Sequence, residues 1–315
     1  MTLLNLEAHH WAAVLEVGTN HPGELAPLVR MVQPRWGIIT NIGREHLEFF
    51  GDLPGVAREE GWLAELLPEN GALFLNGDNE WAGELEARCR ARVVRAGLGP
   101  RNQWRADGVA VKPSGVSFQV QAPRPDFNGE YGIPLLGRHQ VINALLALAV
   151  GAELGLSPEA ARRGLAACPL PKMRLQLWET RGIRVLDDAY NANADSMLAG
   201  LETLCDLPCA GRRVAVLGQM AELGTHTAAA HREIGEKAVA LGIHHLVTVG
   251  ACAQTTAHTA RQAGFKAVTE CADVAAAAPV LRKLLRPGDL VLIKASRVAG
   301  LDKLGRALAA TEAPK

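Results

Sequence analysis

The side chains best suited to chemistry are concentrated in residues 187–197. This short stretch contains Asp187, Asp188, Tyr190, Asn191 and Asn193. An apolar run at 183–186 precedes it and a helix-like pattern begins at 197, which predicts a turn from strand to helix. In an α/β sheet such a turn lies at the carboxyl edge, where ligands bind. The simpler alternative is an Asx-rich turn in which Asp195 caps the next helix.

Three acidic or imidazole side chains in the first half suggest a metal site. Glu16 and His46 each follow a predicted buried strand, at 12–15 and 36–40, directly or after a short loop. If these strands are parallel neighbours, both side chains face one crevice, where they suit magnesium or manganese beside phosphate oxygens. Glu60 is the third candidate. The alternatives are that Glu16 caps a turn, that His46 lies on the surface, and that Glu60 and its neighbour Glu59 lie on a solvated helix face.

Groups suited to a nucleotide occur in three further places. Residues 137–143 open a predicted helix with imidazole and amide groups, and a helix N-terminus can hold a base or phosphate, although capping by Asn143 is the simpler explanation. Arg174 follows the predicted domain boundary, and a guanidinium is suited to phosphate. The last predicted strand ends in Lys294, Ser296 and Arg297.

Composition narrows the class of protein. The 315 residues correspond to about two domains, and 48% hydrophobic with 21% charged residues excludes a disordered chain. Lys and Arg together number 33, as do Asp and Glu, so there is no basic excess to predict nucleic-acid binding. No apolar run is long enough to cross a membrane. Six scattered cysteines predict a reduced, cytoplasmic protein.

The second half has the pattern of a mostly parallel sheet with covering helices. Predicted strands at 183–186, 214–217, 246–249 and 290–293 alternate with predicted helices near 197–204, 228–241, 252–263 and 273–285. This is Rossmann-like in outline, but no G-x-G-x-x-G follows a strand, so nothing supports a nicotinamide cofactor.

The first half is predicted to be more mixed. Residues 104–135 show β-like alternation, and 141–154 form an apolar, buried helix. Ser157 and Pro158 start another helix, which ends at the Cys-Pro-Leu-Pro sequence of 168–171. We therefore predict an α/β protein with domains at 1–168 and 169–315.

Five runs resemble the ATP-dependent Mur ligases of peptidoglycan synthesis. They are residues 16–24, 40–48, 187–197, 216–224 and 294–297, and the resemblance covers essentially the whole chain. It implies a central ATPase domain followed by a Rossmann-like C-terminal domain. The phosphate loop of the family, G-x-x-G-K-[ST], does not occur in this sequence, and neither does the family's UDP-sugar domain. The central domain is therefore expected to be incomplete. The chain would then be a fragment, a sequence read from a late start codon, or a protein whose N-terminal half is separately encoded.

The resemblance also implies roles for individual residues. Glu16 and His46 match magnesium ligands, and Glu60 falls where most members carry a carbamylated lysine. The implied ATP contacts are Asn143 to adenine, Arg174 and Asp188 to phosphate and ribose, and Tyr190. The implied substrate contacts are Asn20, Asn191, Asn193, Lys294, Ser296 and Arg297. Of all these, Glu16, His46, Glu60, Arg174 and Asp188 are the expected catalytic residues. The sequence departs from the family at Gln219, where Asp is usual, and at Ala295, where Gly is usual.

The implied activity is ligation of an amide. ATP, with Mg²⁺, would phosphorylate the carboxylate of a UDP-linked muramoyl tripeptide, and the amine of D-alanyl-D-alanine would attack the acyl phosphate. Without the phosphate loop, the chain alone is expected to have little activity. The alternatives are a non-catalytic remnant that binds nucleotide or a partner protein, and a sister ATP-dependent amide ligase such as a folylpolyglutamate or cyanophycin-type enzyme. Residues 187–197 argue against that sister enzyme.

Overall fold

Two six-stranded sheets, one in each half of the chain, form the framework of the computed structural model, which describes residues 2–309. The first sheet has the order β1-β2-β3-β4-β5-β6, with β1 to β4 parallel and β4 to β6 an antiparallel meander. Its strands are β1 (Trp36–Ile39), β2 (Ala72–Asn76), β3 (Arg92–Gly97), β4 (Trp104–Lys112), β5 (Gly115–Gln121) and β6 (Gly129–Ile133). The meander explains the β-like alternation of 104–135.

Seven α-helices accompany the first sheet in the described residues. They are α1 (Leu25–Val32), α2 (Leu47–Phe50), α3 (Leu53–Glu60), α4 (Trp62–Glu65), α5 (Ala82–Arg88), α6 (His139–Glu153) and α7 (Pro158–Ala166). Helix α6 is the predicted buried helix, and it packs with Phe74 and Phe118 in one apolar core. Helix α7 begins as predicted, because the Ser157 hydroxyl accepts the Ala160 N–H at 3.2 Å.

The second sheet has the order β11-β10-β9-β12-β8-β7, in which all pairs are parallel except β7 with β8. Its strands are β7 (Gln176–Thr180), β8 (Ile183–Asp188), β9 (Arg213–Leu217), β10 (His245–Val249), β11 (Val268–Cys271) and β12 (Leu290–Lys294). Its helices are α8 (Ala194–Asp206), α9 (Thr227–Ala240), α10 (Gln254–Gln262), α11 (Val274–Leu284) and α12 (Asp302–Ala309). The predicted α/β class, with a mostly parallel second sheet, is confirmed.

Short 3₁₀ helices complete the regular structure of the described residues. They span Thr2–Asn5, Pro125–Phe127, Gly224–His226, Ala251–Ala253 and Arg297–Ala299. No helix in residues 2–309 is both long and apolar enough to cross a membrane.

The predicted strand at 12–15 is wrong. These residues form no regular structure, and Val14 is 87% exposed. A buried strand needs a paired neighbour and packed layers, whereas β1 pairs with β2 alone within the described residues. The predicted strand at 36–40 does form, as β1, but at the edge of the sheet, with Ile38 39% exposed.

One apolar core connects the two sheets. It includes Leu75 from the first sheet and Leu217 from the second, together with Leu136 and Leu175. Residues 167–175 carry the chain from α7 to β7, at the position where the sequence predicts the domain boundary. The exact division at 168 stays a prediction, and residues 310–315 of the predicted second domain lie outside the described residues.

A buried histidine ties two helices of the second half to the loop after β9. His231 is 1% exposed; its Nε2 accepts the Met220 N–H at 3.4 Å, and its Nδ1 donates to the Thr256 hydroxyl at 2.9 Å. The Thr256 hydroxyl in turn donates to the His231 carbonyl. Burial lowers the pKa of His231 from 6.5 to about 4, because the charged imidazole would lose its hydration.

This histidine should make the protein sensitive to mild acid. As pH falls below 6.5, His231 of the unfolded chain takes up a proton that the folded protein does not bind until about pH 4. The free energy of unfolding should therefore decrease by about 3 kcal/mol across this window on account of His231. Urea denaturation at several pH values would measure it. His231→Gln, which cannot titrate, should lose this part of the pH dependence, and identical pH dependence in both proteins would contradict the prediction.

Candidate functional site

A buried ion pair fixes the carboxyl edge of the second sheet. Lys294 Nζ at the end of β12 lies 2.6 Å from Asp188 Oδ2 at the end of β8, and the lysine side chain is only 2% exposed. Nζ also donates to the Asn191 carbonyl at 3.0 Å, and Asp188 Oδ1 accepts the Leu175 N–H at 3.1 Å. Burial and the nearby Arg174 lower the pKa of Lys294, and Asp188 opposes this shift. Lys294 and Asp188 thus hold the turn after β8 in place.

Two more of the predicted substrate contacts use their polar atoms within the fold. The buried Ser296 hydroxyl donates to the Ala192 carbonyl at 2.9 Å and accepts the Ala221 N–H at 2.8 Å. Asn193 caps α8, since its Oδ1 accepts the Ser196 N–H at 2.8 Å. The cap of α8 is therefore Asn193 and not Asp195. Both residues shape the site, while the exposed side chain of Asn191 stays available.

Ala295 is accommodated opposite a glycine. A Cβ on Gly218 would lie 2.7 Å from the Ala295 methyl, closer than carbon atoms can approach. The methyl that this sequence carries in place of the family's usual glycine therefore fits because Gly218 has no side chain.

Two arginines converge on the ring of Tyr190. Arg174 Cζ lies 4.3 Å from the ring centroid and Arg297 Cζ 5.9 Å, within the range of cation–π attraction. Both arginines are exposed, and within residues 2–309 neither forms an ion pair with a carboxylate. Guanidinium groups around one ring at the carboxyl edge of a sheet can bind phosphate or carboxylate groups.

The backbone around Arg174 adopts an unusual conformation. Met173 and Leu175 have φ angles of 58° and 50°, the left-handed region that residues with a Cβ seldom occupy. The Tyr190 N–H donates to the Met173 carbonyl at 3.1 Å and so fixes this segment to the turn after β8. These constraints direct Arg174 towards Tyr190.

The loop after β1 carries His46 and meets the second half of the chain. His46 has φ 51° and its Nδ1 lies 2.5 Å from Glu222 Oε2, in the loop after β9. The Glu48 N–H donates to the Glu222 carbonyl at 2.9 Å, and the Gly51 carbonyl lies 2.8 Å from His226 Nε2. The loops that follow β1 and β9 are therefore in direct contact.

Arg44, in the same loop, joins two carboxylates of the second half. Its guanidinium lies 2.6 Å from Asp195 Oδ1 and 2.5 Å from Glu233 Oε2. Burial alone would lower the pKa of Arg44, but the hydrogen bonds with Glu233 and Asp195 raise it above its ordinary value. Arg44 is therefore a charged bridge between the two domains.

Glu45 and Glu60 are half-buried carboxylates near each other. Burial, followed by repulsion from Glu45 and Glu59, raises the pKa of Glu60 to about 7. Burial is also the main cause that raises the pKa of Glu45. Glu59 is not on a solvated face: it is 5% exposed and accepts the N–H groups of Gly23 and Leu25, at 2.9 and 2.8 Å, at the start of α1.

The remaining predicted site residues are exposed. Glu16 lies in the irregular segment before α1, and Asn20 donates its N–H to Glu24 Oε2 at 2.9 Å. Asn143, on α6, donates its side-chain N–H to Gln140 at 3.0 Å. Within residues 2–309 no three His, Cys, Asp or Glu side chains are grouped to hold a metal ion, so Glu16, His46 and Glu60 do not form a three-ligand site.

Sequence reasoning missed the charged contacts between the domains. Arg44 and Glu222 lie within the runs 40–48 and 216–224, which resemble the family, and this position was a reason to consider them as functional residues. The sequence indicates Asp195 only as a cap, and Glu233 has the pattern of an ordinary helix surface residue. The structure thus contains two groups of candidate site residues. The first is the loop after β1, with His46, which contacts the loop after β9. The second is the turn after β8, with Asp188 and Tyr190, at the same carboxyl edge as the loop after β9.

The fold and these two groups define the class of protein. Residues 1–151 match the Mur ligase middle domain, and residues 173–297 match the Mur ligase glutamate ligase domain. The chain belongs to the Mur ligase family.

Its relatives within the family include UDP-N-acetylmuramoyl-tripeptide–D-alanyl-D-alanine ligases. The Escherichia coli enzyme of that name is 36% identical over 98% of this chain and 67% of its own length. MurF from Acinetobacter baumannii has a similar structure, with a TM-score of 0.89 and 28% identity over 98% of this chain and 66% of that one. The fold is shared with MurF from Thermotoga maritima in complex with ADP, at a TM-score of 0.80 and 21% identity over 92% and 65% of the two chains. The chain thus spans about two thirds of these relatives.

Breaking the buried ion pair should strongly destabilise the protein. Asp188→Asn leaves Lys294 buried without a compensating charge, and we expect it to lower the free energy of unfolding by about 3–5 kcal/mol. The double variant Asp188→Asn/Lys294→Met removes both charges and keeps an acceptor for the Leu175 N–H, so it should recover most of this loss.

Urea denaturation of the three proteins would measure these effects. The matched control is Asp126→Asn, which breaks the exposed pair of Asp126 with Arg124 (2.7 Å) and should cost less than about 1 kcal/mol. An Asp188→Asn protein as stable as the control variant would show that Lys294 does not depend on Asp188.

Proposed function

We propose that this chain provides the catalytic and acceptor-binding parts of an ATP-dependent amide ligase of peptidoglycan precursor synthesis. The substrates would be a UDP-linked muramoyl tripeptide and D-alanyl-D-alanine, as the names of its relatives indicate. The observation that carries the proposal is the exposed pair of arginines on Tyr190, at the carboxyl edge of the second sheet, where the loop after β9 contacts His46. Six unpaired cysteines support a reducing compartment such as the cytoplasm.

The reaction consists of two transfers. The tripeptide carboxylate attacks the γ-phosphorus of ATP, which forms an acyl phosphate and releases ADP. The amine of D-alanyl-D-alanine then attacks the acyl carbon, and the amide forms as phosphate leaves. Negative charge develops on the phosphoryl group in the first step, and positive charges fixed beforehand stabilise it most effectively. Arg174 and Arg297 are suited to this role because Tyr190 already holds their guanidinium groups.

The half-buried carboxylates of Glu60 and of Glu45, the residue before His46, fit a magnesium ion. Glu60 has its pKa raised by burial and by neighbouring carboxylates, so a cation between these groups would relieve their repulsion. Mg²⁺ keeps several waters and uses few protein ligands together with phosphate oxygens, which agrees with a small ligand set of His46 and Glu60. When bound, the ion neutralises charge on the transferred phosphoryl group. Glu16, Asn20 and Asn143 are exposed and would contact the ion or substrates only in the assembled site.

An additional polypeptide segment is proposed to complete the nucleotide site. Within the described residues β1 pairs with β2 alone and carries a partly exposed Ile38. Trp11 and Val14, in the irregular segment before α1, are 75% and 87% exposed. An edge strand and large exposed apolar side chains are each typical of a surface that another segment covers. We propose that this segment, in the same chain or separately encoded, carries the phosphate-binding loop.

An activity measurement tests the proposal. The chain would be assayed alone and together with the part of the Escherichia coli relative that it does not match, fused or added separately. Alone it should turn over far more slowly than about 1 per second, and with the segment phosphate release should require both the tripeptide and D-alanyl-D-alanine. Phosphate release that is independent of D-alanyl-D-alanine would rule out amide ligation.

Removing one arginine from the assembled enzyme should slow the chemical step. We expect Arg174→Ala to lower kcat by about 100-fold, and Arg174→Lys to recover only part of it because an ammonium cannot bind an anion in bidentate fashion. The matched control is Arg163→Ala, an exposed arginine on α7, which should leave kcat unchanged. Equal rates for Arg174→Ala and Arg163→Ala would contradict the role of Arg174.

Glu60 should make the enzyme independent of bicarbonate. Glu60→Gln keeps the size of the side chain but removes its charge, so the rate should fall steeply while the melting temperature is maintained. Glu60→Lys should regain activity only with bicarbonate, which converts the amine to a carbamate. Glu69→Gln, an exposed site beyond α4, serves as the control. If Glu60→Gln is as active as this control at limiting magnesium, Glu60 has no role in metal binding.

A further inference from the structure

Glu222 reaches from the second domain to the imidazole of the first. Its Oε2 lies 2.5 Å from His46 Nδ1, and its own carbonyl accepts the Glu48 N–H at 2.9 Å. Within residues 2–309 its carboxylate has no other hydrogen-bond or ion-pair partner. The backbone of Glu222 is left-handed, with φ 60°, although the residue is not a glycine. The loop after β9 is thus shaped in a way that presents this carboxylate to His46.

This contact determines which nitrogen of His46 is free. A carboxylate only accepts hydrogen bonds, so Nδ1 must carry the proton, and in a neutral imidazole Nε2 then has the lone pair. Histidines that bind metals usually donate their other N–H to a carboxylate or carbonyl in this way, which fixes the ring and makes it a stronger ligand.

We propose that Glu222 is a positioning residue that holds His46 as the Nδ1–H tautomer, with Nε2 free for a divalent cation. This inference rests on the proposed function, in which His46 binds the metal. Because Glu222 belongs to the second domain, His46 is a stronger ligand when the loops after β1 and β9 are in contact. Docking of the domains and binding of the metal therefore favour each other.

If Glu222 only helped to hold the domains together, weakening another contact between the same loops would have the same effect as removing its carboxylate. Arg44 already joins the same loop to Asp195 and Glu233, and His226 contacts the Gly51 carbonyl. The side chain of Glu222 adds only the bond to His46. Glu233→Gln is therefore a matched control, since it weakens the domain contact through Arg44 without touching the imidazole.

Nuclear magnetic resonance of the full chain would test the tautomer. Imidazole ¹⁵N resonances at pH 8 distinguish the two tautomers, and the His46→Gln variant identifies the signal of His46 among the ten histidines. His46 should be in the Nδ1–H form in the parent and in Glu233→Gln. It should shift partly towards Nε2–H in Glu222→Gln, because an amide oxygen accepts the Nδ1 proton more weakly than a carboxylate, and further in Glu222→Ala, which has no acceptor. An Nε2–H tautomer in the parent would overturn the inference.

Binding of Mn²⁺ alone, followed by electron paramagnetic resonance, would test the consequence for the metal. Glu222→Gln should weaken Mn²⁺ binding by about 10- to 100-fold, while Glu233→Gln should change it less than about threefold. Equal weakening in both variants would reduce Glu222 to a domain contact, and tighter binding in Glu222→Gln would mean that the carboxylate competes with the metal.

The same experiment separates this inference from the proposed function. If His46→Gln binds Mn²⁺ as tightly as the parent, His46 is not a metal ligand, and both that assignment and the positioning role are wrong. If His46→Gln loses binding while Glu222→Gln does not, the metal assignment stands and only the role of Glu222 fails.

Discussion

The ion pair of Asp188 with Lys294 is the interaction on which the rest of the site depends. It joins the ends of two adjacent parallel strands, and its remaining polar atoms hold the Leu175 N–H and the Asn191 carbonyl. Both partners lie at an edge where backbone groups have left the sheet and need other partners. The linker that carries Arg174 and the turn that carries Tyr190 are thereby fixed to the same point of the sheet.

Much of the second domain could be predicted from the sequence because its signals are local. Strands such as β9 and β12 are short continuous apolar runs, the sequence pattern that is typical of strands buried on both faces of a parallel sheet. Strand β7 was missed because Gln176–Thr180 is half polar and forms an antiparallel edge. The run at 12–15 had the same apolar signal as β9 but lacks strand neighbours in the described residues, and pairing is not a local property.

The candidate site was predictable where it follows strand ends and not where it depends on contacts between domains. Asp188 and Lys294 were found from their place after apolar runs. That their charges neutralise each other could not be known, since β8 and β12 are far apart in sequence. The bridge from Arg44 to Glu233 is equally non-local. The family resemblance implied roles for single residues. It did not indicate which of their side chains form hydrogen bonds within the protein, as those of Ser296 and Asn193 do.

The left-handed residues on either side of Arg174 have a consequence for how the two halves of the chain are joined. Met173 and Leu175 each cost about 1 kcal/mol or more in this conformation, and glycine would adopt it freely. A glycine-rich joint would let the halves sample many angles, whereas this one has a narrow choice of backbone conformations. The connection therefore restricts the angle between the two halves. Their relative orientation depends on the backbone conformation of this linker as well as on the contacts between the two domain surfaces.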